Sequence, residues 1–306
     1  MSLNASDTPD LIDQEPPTAT SPGHTLFLKI DLEIDPMGGQ PAEPMTAVFA
    51  PDPKKLGTGA VDLLLWFHGD KDVWSRNRKG HLYLWGKTVR DYLRVDETKL
   101  REFVLKTSKR QFLLVVPTLN DHTGRAKHDH TAGGLLWQQG QAEAFLQQVL
   151  NGVKTHMGIN VTGPGNLVLA AHSGGGHILS QMAQHFAGLF NKVNEIWCFD
   201  CTYWGGDPFI AWAKRGHSNN PKLWVYSTGG KGNGSTGDSA DAILTFAQGK
   251  PAPTTNIEVL IDDYPNAGKP SSTRFFVATY HGSANGHYES IEKYLPQLVE
   301  ISKNLK

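Results

Sequence analysis

The chain has 306 residues, 29 basic and 30 acidic side chains and a formal net charge of −1. That balance, with no basic run to grip phosphates, argues against a nucleic-acid partner, and no apolar stretch is long enough to span a bilayer. The length suits one large domain with a sizeable core.

Residues 1–23 are rich in Pro, Asp, Thr and Ser and read as a flexible arm, followed by a single domain over 24–306. The start lacks the basic and apolar regions of a secretory signal. It predicts a soluble, cytoplasmic protein unless a leader has been removed ahead of Met1-Ser2-Leu3. Alternation of apolar and polar residues over 25–34 predicts a half-exposed strand, and Thr46-Ala47-Val48-Phe49-Ala50 a second one closed by Pro51. Residues 61–67, apolar but for Asp62, and 112–117 are runs of the kind expected of central strands covered on both faces. The first run ends in His68-Gly69-Asp70. Helices are expected around 87–93, 97–108 and, as a long amphipathic segment, 135–156.

Leu167-Val168-Leu169-Ala170-Ala171-His172 then runs into Ser173-Gly174-Gly175-Gly176. A buried strand here ends in a small-residue turn with one serine at its apex, and Ile178, Leu179, Met182, Phe186 and Leu189 follow at helical spacing. Strand, tight turn and helix is the context in which a serine is lifted above a sheet edge as a nucleophile. Further strands are expected at 195–199, 222–226, 257–261 and 273–280. The helices between and after them fall at 208–214, 239–247 and 289–303. Such alternation predicts a mostly parallel sheet with helices on both faces.

A serine nucleophile needs a base, and the base needs a partner to fix its tautomer. In sheets of this kind the working groups lie beyond the carboxyl ends of strands. His281 ends the last strand and His287 directly precedes the final helix; His287 is preferred as base because a loop there would let it fold back over the sheet edge, with His281 as the alternative. For the acid, Asp200 lies between an apolar strand and an aromatic turn, where a carboxylate is costly without a partner. Asp238 is its competitor, and Asp241 is a weaker one, expected a turn into a solvated helix. The oxyanion donors would be the backbone N–H groups of Gly174 and Asp70.

These marks resemble the α/β-hydrolase superfamily from about residue 61 onward. They are the HG turn at His68-Gly69, the elbow Ala171-His172-Ser173-Gly174-Gly175, and the chain order serine, acid, histidine. The chain is particularly similar to a bacterial group with an "HSGG" elbow and an aspartate in an "FDxxYxG"-like turn, here Phe199-Asp200-Cys201-Thr202-Tyr203-Trp204-Gly205. That group also has a histidine just before the last helix, matching His287. Two departures stand out: Ala171 replaces the usual glycine, and the acid comes one strand earlier than the superfamily's commonest position. The resemblance implies the α/β-hydrolase fold and a serine esterase acting on a small ester or acyl substrate without a cofactor. Amide hydrolysis and acyl transfer use the same groups, and a fold member that has lost catalysis would act as a binding protein. The lids are expected at 71–86 and 120–134. Neither substrate identity nor oligomeric state is encoded in any readable motif.

Other motifs carry less. Cys198 and Cys201 lack the second pair of a zinc site and read as small buried residues. Asp121, His122, His128 and His130 are metal-capable but form no recognised motif, so no metal is expected. The loop 229–234 lacks the G-K-[ST] spacing of a phosphate cradle. Trp66 reads as core, whereas Trp74, Trp137 and Trp204 are candidates to line an acyl pocket.

Overall fold

A computed structural model of the chain describes residues 2–19, 22–32, 45–69, 89–90, 92–93, 99–106, 110–119, 136, 138, 140–185, 192–203, 205–214, 222–228, 236–248, 257–261, 275–279 and 286–305. Ten strands form one sheet: β1 (Leu11–Glu15), β2 (His24–Leu28), β3 (Thr46–Ala50), β4 (Gly59–Phe67), β5 (Phe112–Pro117), β6 (Val161–His172), β7 (Val193–Phe199), β8 (Lys222–Ser227), β9 (Ile257–Ile261) and β10 (Phe275–Thr279). Their order across the sheet is β1-β2-β3-β5-β4-β6-β7-β8-β10-β9. The first three strands pair antiparallel, as do β3 and β5; from β5 through β4 to β9 every pairing is parallel.

Six helices are described: α1 (Leu100–Leu105), α2 (Gln141–Met157), α3 (Gly176–His185), α4 (Asp207–Lys214), α5 (Thr236–Gln248) and α6 (Gly286–Ile301). Period-two alternation along each central strand divides its buried side chains between the two faces of the sheet. Leu63, Leu65 and Phe67 of β4 join Leu169 and Ala171 of β6 in a core capped by α2, α3, α4 and α5. Leu64 and Trp66 join Val168, Ala170, Trp197 and Phe199 in a second core, capped by Tyr92, α1 and α6. The central strands are therefore mostly apolar, because both of their faces are covered.

The expected strands over 46–50, 61–67, 112–117, 195–199, 222–226, 257–261 and 273–280 and the helices over 208–214, 239–247 and 289–303 are found with boundary shifts of a few residues. The strand expected over 25–34 ends at Leu28, the helix expected over 135–156 begins at Gln141, and the helix expected around 87–93 falls partly outside the described residues. One expectation needs correction. Residues 11–15, read as part of a flexible arm, form β1 on the sheet edge against β2. Composition misled because an edge strand needs few apolar residues when its side chains find ion pairs: Asp13 meets Arg90 at 2.8 Å, and Glu15 meets Arg101.

A buried carboxylate fastens the far end of α6. Glu195, in β7 and 2% exposed, accepts hydrogen bonds from Trp197 Nε1 (3.1 Å), Ser302 Oγ (3.0 Å) and Asn304 Nδ2 (2.7 Å), with Lys222 Nζ at 3.9 Å. Among the described residues no helix is long and apolar enough to cross a membrane.

Candidate active site

The carboxyl ends of β4, β6, β7 and β8, neighbours in the sheet, bring His68-Gly69, Ser173, Asp200 and Thr228 to one edge. Ser173 follows β6 directly, in a single 3-10 turn, Ser173–Gly175, that leads into α3. Its φ is 51°, in the left-handed region that residues with a Cβ rarely enter. Close packing imposes the small residues around it. A Cβ on Gly175 would lie 2.7 Å from the His68 carbonyl oxygen, and one on Gly69 would lie 2.9 Å from Tyr92 Oη and overlap the Cβ of Ser173. On Gly176 it would overlap the Cys201 carbonyl oxygen. The elbow thus presses against both the HG turn and the turn that carries Asp200.

Asp200 follows β7, also left-handed at φ 46°, a conformation that Asp tolerates better than most residues. Its side chain is buried and fully engaged. Oδ1 accepts from the Thr228 amide (2.9 Å) and the Thr236 hydroxyl (2.6 Å), and Oδ2 accepts from the Thr228 hydroxyl (2.7 Å) and His287 Nδ1 (2.5 Å). Burial alone would push this carboxyl up. The His287 imidazole and the two threonine hydroxyls outweigh it and hold Asp200 below the usual carboxylate range.

A carboxylate only accepts, so Nδ1 of His287 carries the proton toward Asp200 and Nε2 is left unprotonated in the neutral ring. His287 sits in the first turn of α6 and not in a loop ahead of the helix as expected. The helix, rather than loop freedom, delivers it to the sheet edge. Its ring lies 4.3 Å, centroid to centroid, from that of His172, the residue before Ser173.

His172 and His68 are both buried. Leu119 donates its amide to His68 Nε2 (2.9 Å), and His68 Nδ1 donates to the Gly69 carbonyl (2.9 Å), which ties the HG turn to the end of β5. Gly69 donates its amide to Tyr92 Oη at 2.8 Å.

Of the candidate residues, Ser173, Gly174, Asp200 and His287 thus converge on one edge. Asp238 is exposed in the first turn of α5, and Asp241 is one turn further on. Asp70 and His281 lie outside the described residues, as do Asp121, His122, His128, His130, the loop 229–234, Trp74, Trp137 and Trp204. Among the described residues no three His, Cys, Asp or Glu side chains cluster to hold a metal. Cys198 and Cys201 are buried free thiols, and burial together with the Cys198 thiol raises Cys201 well above its ordinary range, which leaves it protonated. Sequence reasoning missed Thr228, Thr236 and Tyr92. Position at strand ends is the signal that would have found the first, and nothing local marks the others.

No family model matches the chain, and no curated protein matches it significantly. Solved structures do. The chain is similar to an S-formylglutathione hydrolase from Agrobacterium tumefaciens, with a TM-score of 0.50 and 10% identity over 97% of this chain and 100% of that one. It is also similar to the feruloyl esterase module from Clostridium thermocellum, with a TM-score of 0.47 and 11% identity over 98% and 95% of the two chains. A glucuronoyl esterase from Solibacter usitatus aligns with a TM-score of 0.46 and 11% identity over 97% and 88%. The chain has the α/β-hydrolase fold.

Proposed function

We propose that the protein is a serine hydrolase that cleaves a carboxylic ester through an acyl-enzyme on Ser173. The observation that carries this reading is the 2.5 Å approach of His287 Nδ1 to Asp200, at the sheet edge where Ser173 occupies a left-handed turn. Ser173 Oγ attacks the acyl carbon while His287 Nε2 takes its proton and then returns one to the leaving alkoxide. Asp200 holds the imidazole in the right tautomer and stabilises the imidazolium. Water, activated by the same nitrogen, then cleaves the acyl-enzyme.

The tetrahedral oxyanion is received by backbone amides. Gly174 supplies one from the start of the turn. In this reading the amide of Asp70, the next residue after the HG turn, is the second donor. The fold supports this chemistry, and solved proteins similar in fold are named as a hydrolase and as esterases.

Intact-mass analysis after treatment with a fluorophosphonate tests the reading. Wild type gains a single adduct and Ser173→Ala gains none. A folded wild type that stays unlabelled, and does not hydrolyse p-nitrophenyl acetate, overturns it.

A further inference from the structure

Tyr92 and His172 stand between the HG turn and His287, and the mechanism above gives neither a role. Their hydrogen bonds form one directed chain. Gly69 N–H donates to Tyr92 Oη (2.8 Å), Tyr92 Oη pairs with His172 Nδ1 (2.9 Å), and His172 Nε2 pairs with the backbone carbonyl of His287 (3.1 Å). The last acceptor fixes every proton. A carbonyl cannot donate, so His172 Nε2 carries the hydrogen; in the neutral ring Nδ1 then accepts, so the Tyr92 hydroxyl donates to it and takes the Gly69 amide on its own lone pair. Burial, reinforced by the neighbouring His287, pushes His172 far below its ordinary range and keeps it neutral, as this direction requires.

We propose that Tyr92 and His172 are positioning residues of the hydrolytic site, a hydrogen-bond chain that sets the His287 backbone in register with the HG turn across the Ser173 elbow. The proposal rests on the serine-hydrolase reading. Three segments far apart in sequence meet here: the turn after β4, the residue preceding the nucleophile, and the first turn of α6. Asp200 holds the His287 side chain by Nδ1, and His172 holds its main chain by the carbonyl. Together the two contacts restrict how far the imidazole can shift or tilt relative to Ser173. The Tyr92 end of the chain occupies the Gly69 amide and so fixes the HG turn beside the Ser173 elbow. A shift of about 1 Å in such groups costs up to about 100-fold in rate, so this chain acts on turnover more than on substrate capture.

The test follows p-nitrophenyl acetate hydrolysis and fluorophosphonate labelling of Tyr92→Phe, His172→Leu and His172→Gln over a range of pH, with folding monitored by circular dichroism. Tyr92→Phe and His172→Leu are expected to lower kcat on the order of tenfold or more with KM within about twofold, and to displace the acid limb of the kcat profile. His172→Gln, whose amide can donate to the His287 carbonyl, is expected to recover part of the loss. Wild-type kcat and an unchanged pH profile in Tyr92→Phe and His172→Leu overturn the positioning role, as does a His172→Gln no better than His172→Leu. In those cases normal wild-type labelling leaves the serine-hydrolase reading standing. A wild type that neither labels nor hydrolyses removes that reading itself. If His172→Leu does not fold, Tyr92→Phe, which deletes one buried oxygen and keeps the ring, decides.

Discussion

Gly69 and Ser173 are packed so closely that a Cβ on the glycine would overlap the Cβ of the serine. The same Cβ would lie 3.0 Å from the His172 carbonyl oxygen, so neither neighbour is a flexible tip that can swing aside. Gly69→Ala must therefore displace either the HG turn or the elbow. It is expected to lower fluorophosphonate labelling on the order of 100-fold in protein that still folds, since about 1 Å of misplacement has that effect. Labelling rates of the purified variant check this.

Asp200 and Asp238 make opposite predictions. Asp200→Asn keeps the shape of the side chain but presents an amide donor to His287 Nδ1 and favours the wrong tautomer. The expected loss in kcat is on the order of 10,000-fold. Asp238→Asn, exposed on α5, is expected to stay within about twofold. Steady-state hydrolysis of p-nitrophenyl acetate by the two variants separates them.

The depressed carboxyl of Asp200 also links stability to pH. Its folded pKa lies below the unfolded value, so its contribution is fully present above the unfolded carboxylate range and fades as pH falls through the folded pKa. Wild type should exceed Asp200→Asn in urea midpoint at neutral pH, and the gap should narrow below about pH 4. A gap that widens in acid contradicts the assignment.

Glu195 is predicted to matter for stability. Glu195→Ala strands the donors of Trp197, Ser302 and Asn304 and leaves Lys222 without its carboxylate. Removing one member of a buried charged network costs about 3 kcal/mol or more. Urea denaturation monitored by circular dichroism reads the change.

Much of this was legible in the chain because the informative signals are local. Leu63, Leu64, Leu65 and Trp66 declare a strand buried on both faces, and the small residues about Ser173 declare a turn pressed between a strand and a helix. Asp200 was marked by its place at the end of β7, where an unpaired carboxylate would be costly. Other features depend on contacts between distant residues, which periodicity does not record. Tyr92 reaches His172 across 80 positions and His172 reaches His287 across 115. β1 was hidden for a related reason: its stability comes from β2 and from two arginines far along the chain, not from its own composition. The start of α6 was placed three residues late, since Gly286 and His287 resemble a loop until Asp200 takes the imidazole.

Two carboxylates, Glu195 within β7 and Asp200 just past its end, give α6 a fixed length to span. Asp200 holds His287 at one end of the helix, while Glu195 holds Ser302 and Asn304 just past the other. Strand and helix advance by different steps, about 3.3 Å and 1.5 Å per residue. Each element therefore gauges the other, like two rulers joined at both ends. Adding or deleting a single residue between Glu195 and Asp200, or between His287 and Ser302, puts one joint out of phase. Lineages of this protein should accordingly change length elsewhere and keep these two intervals constant.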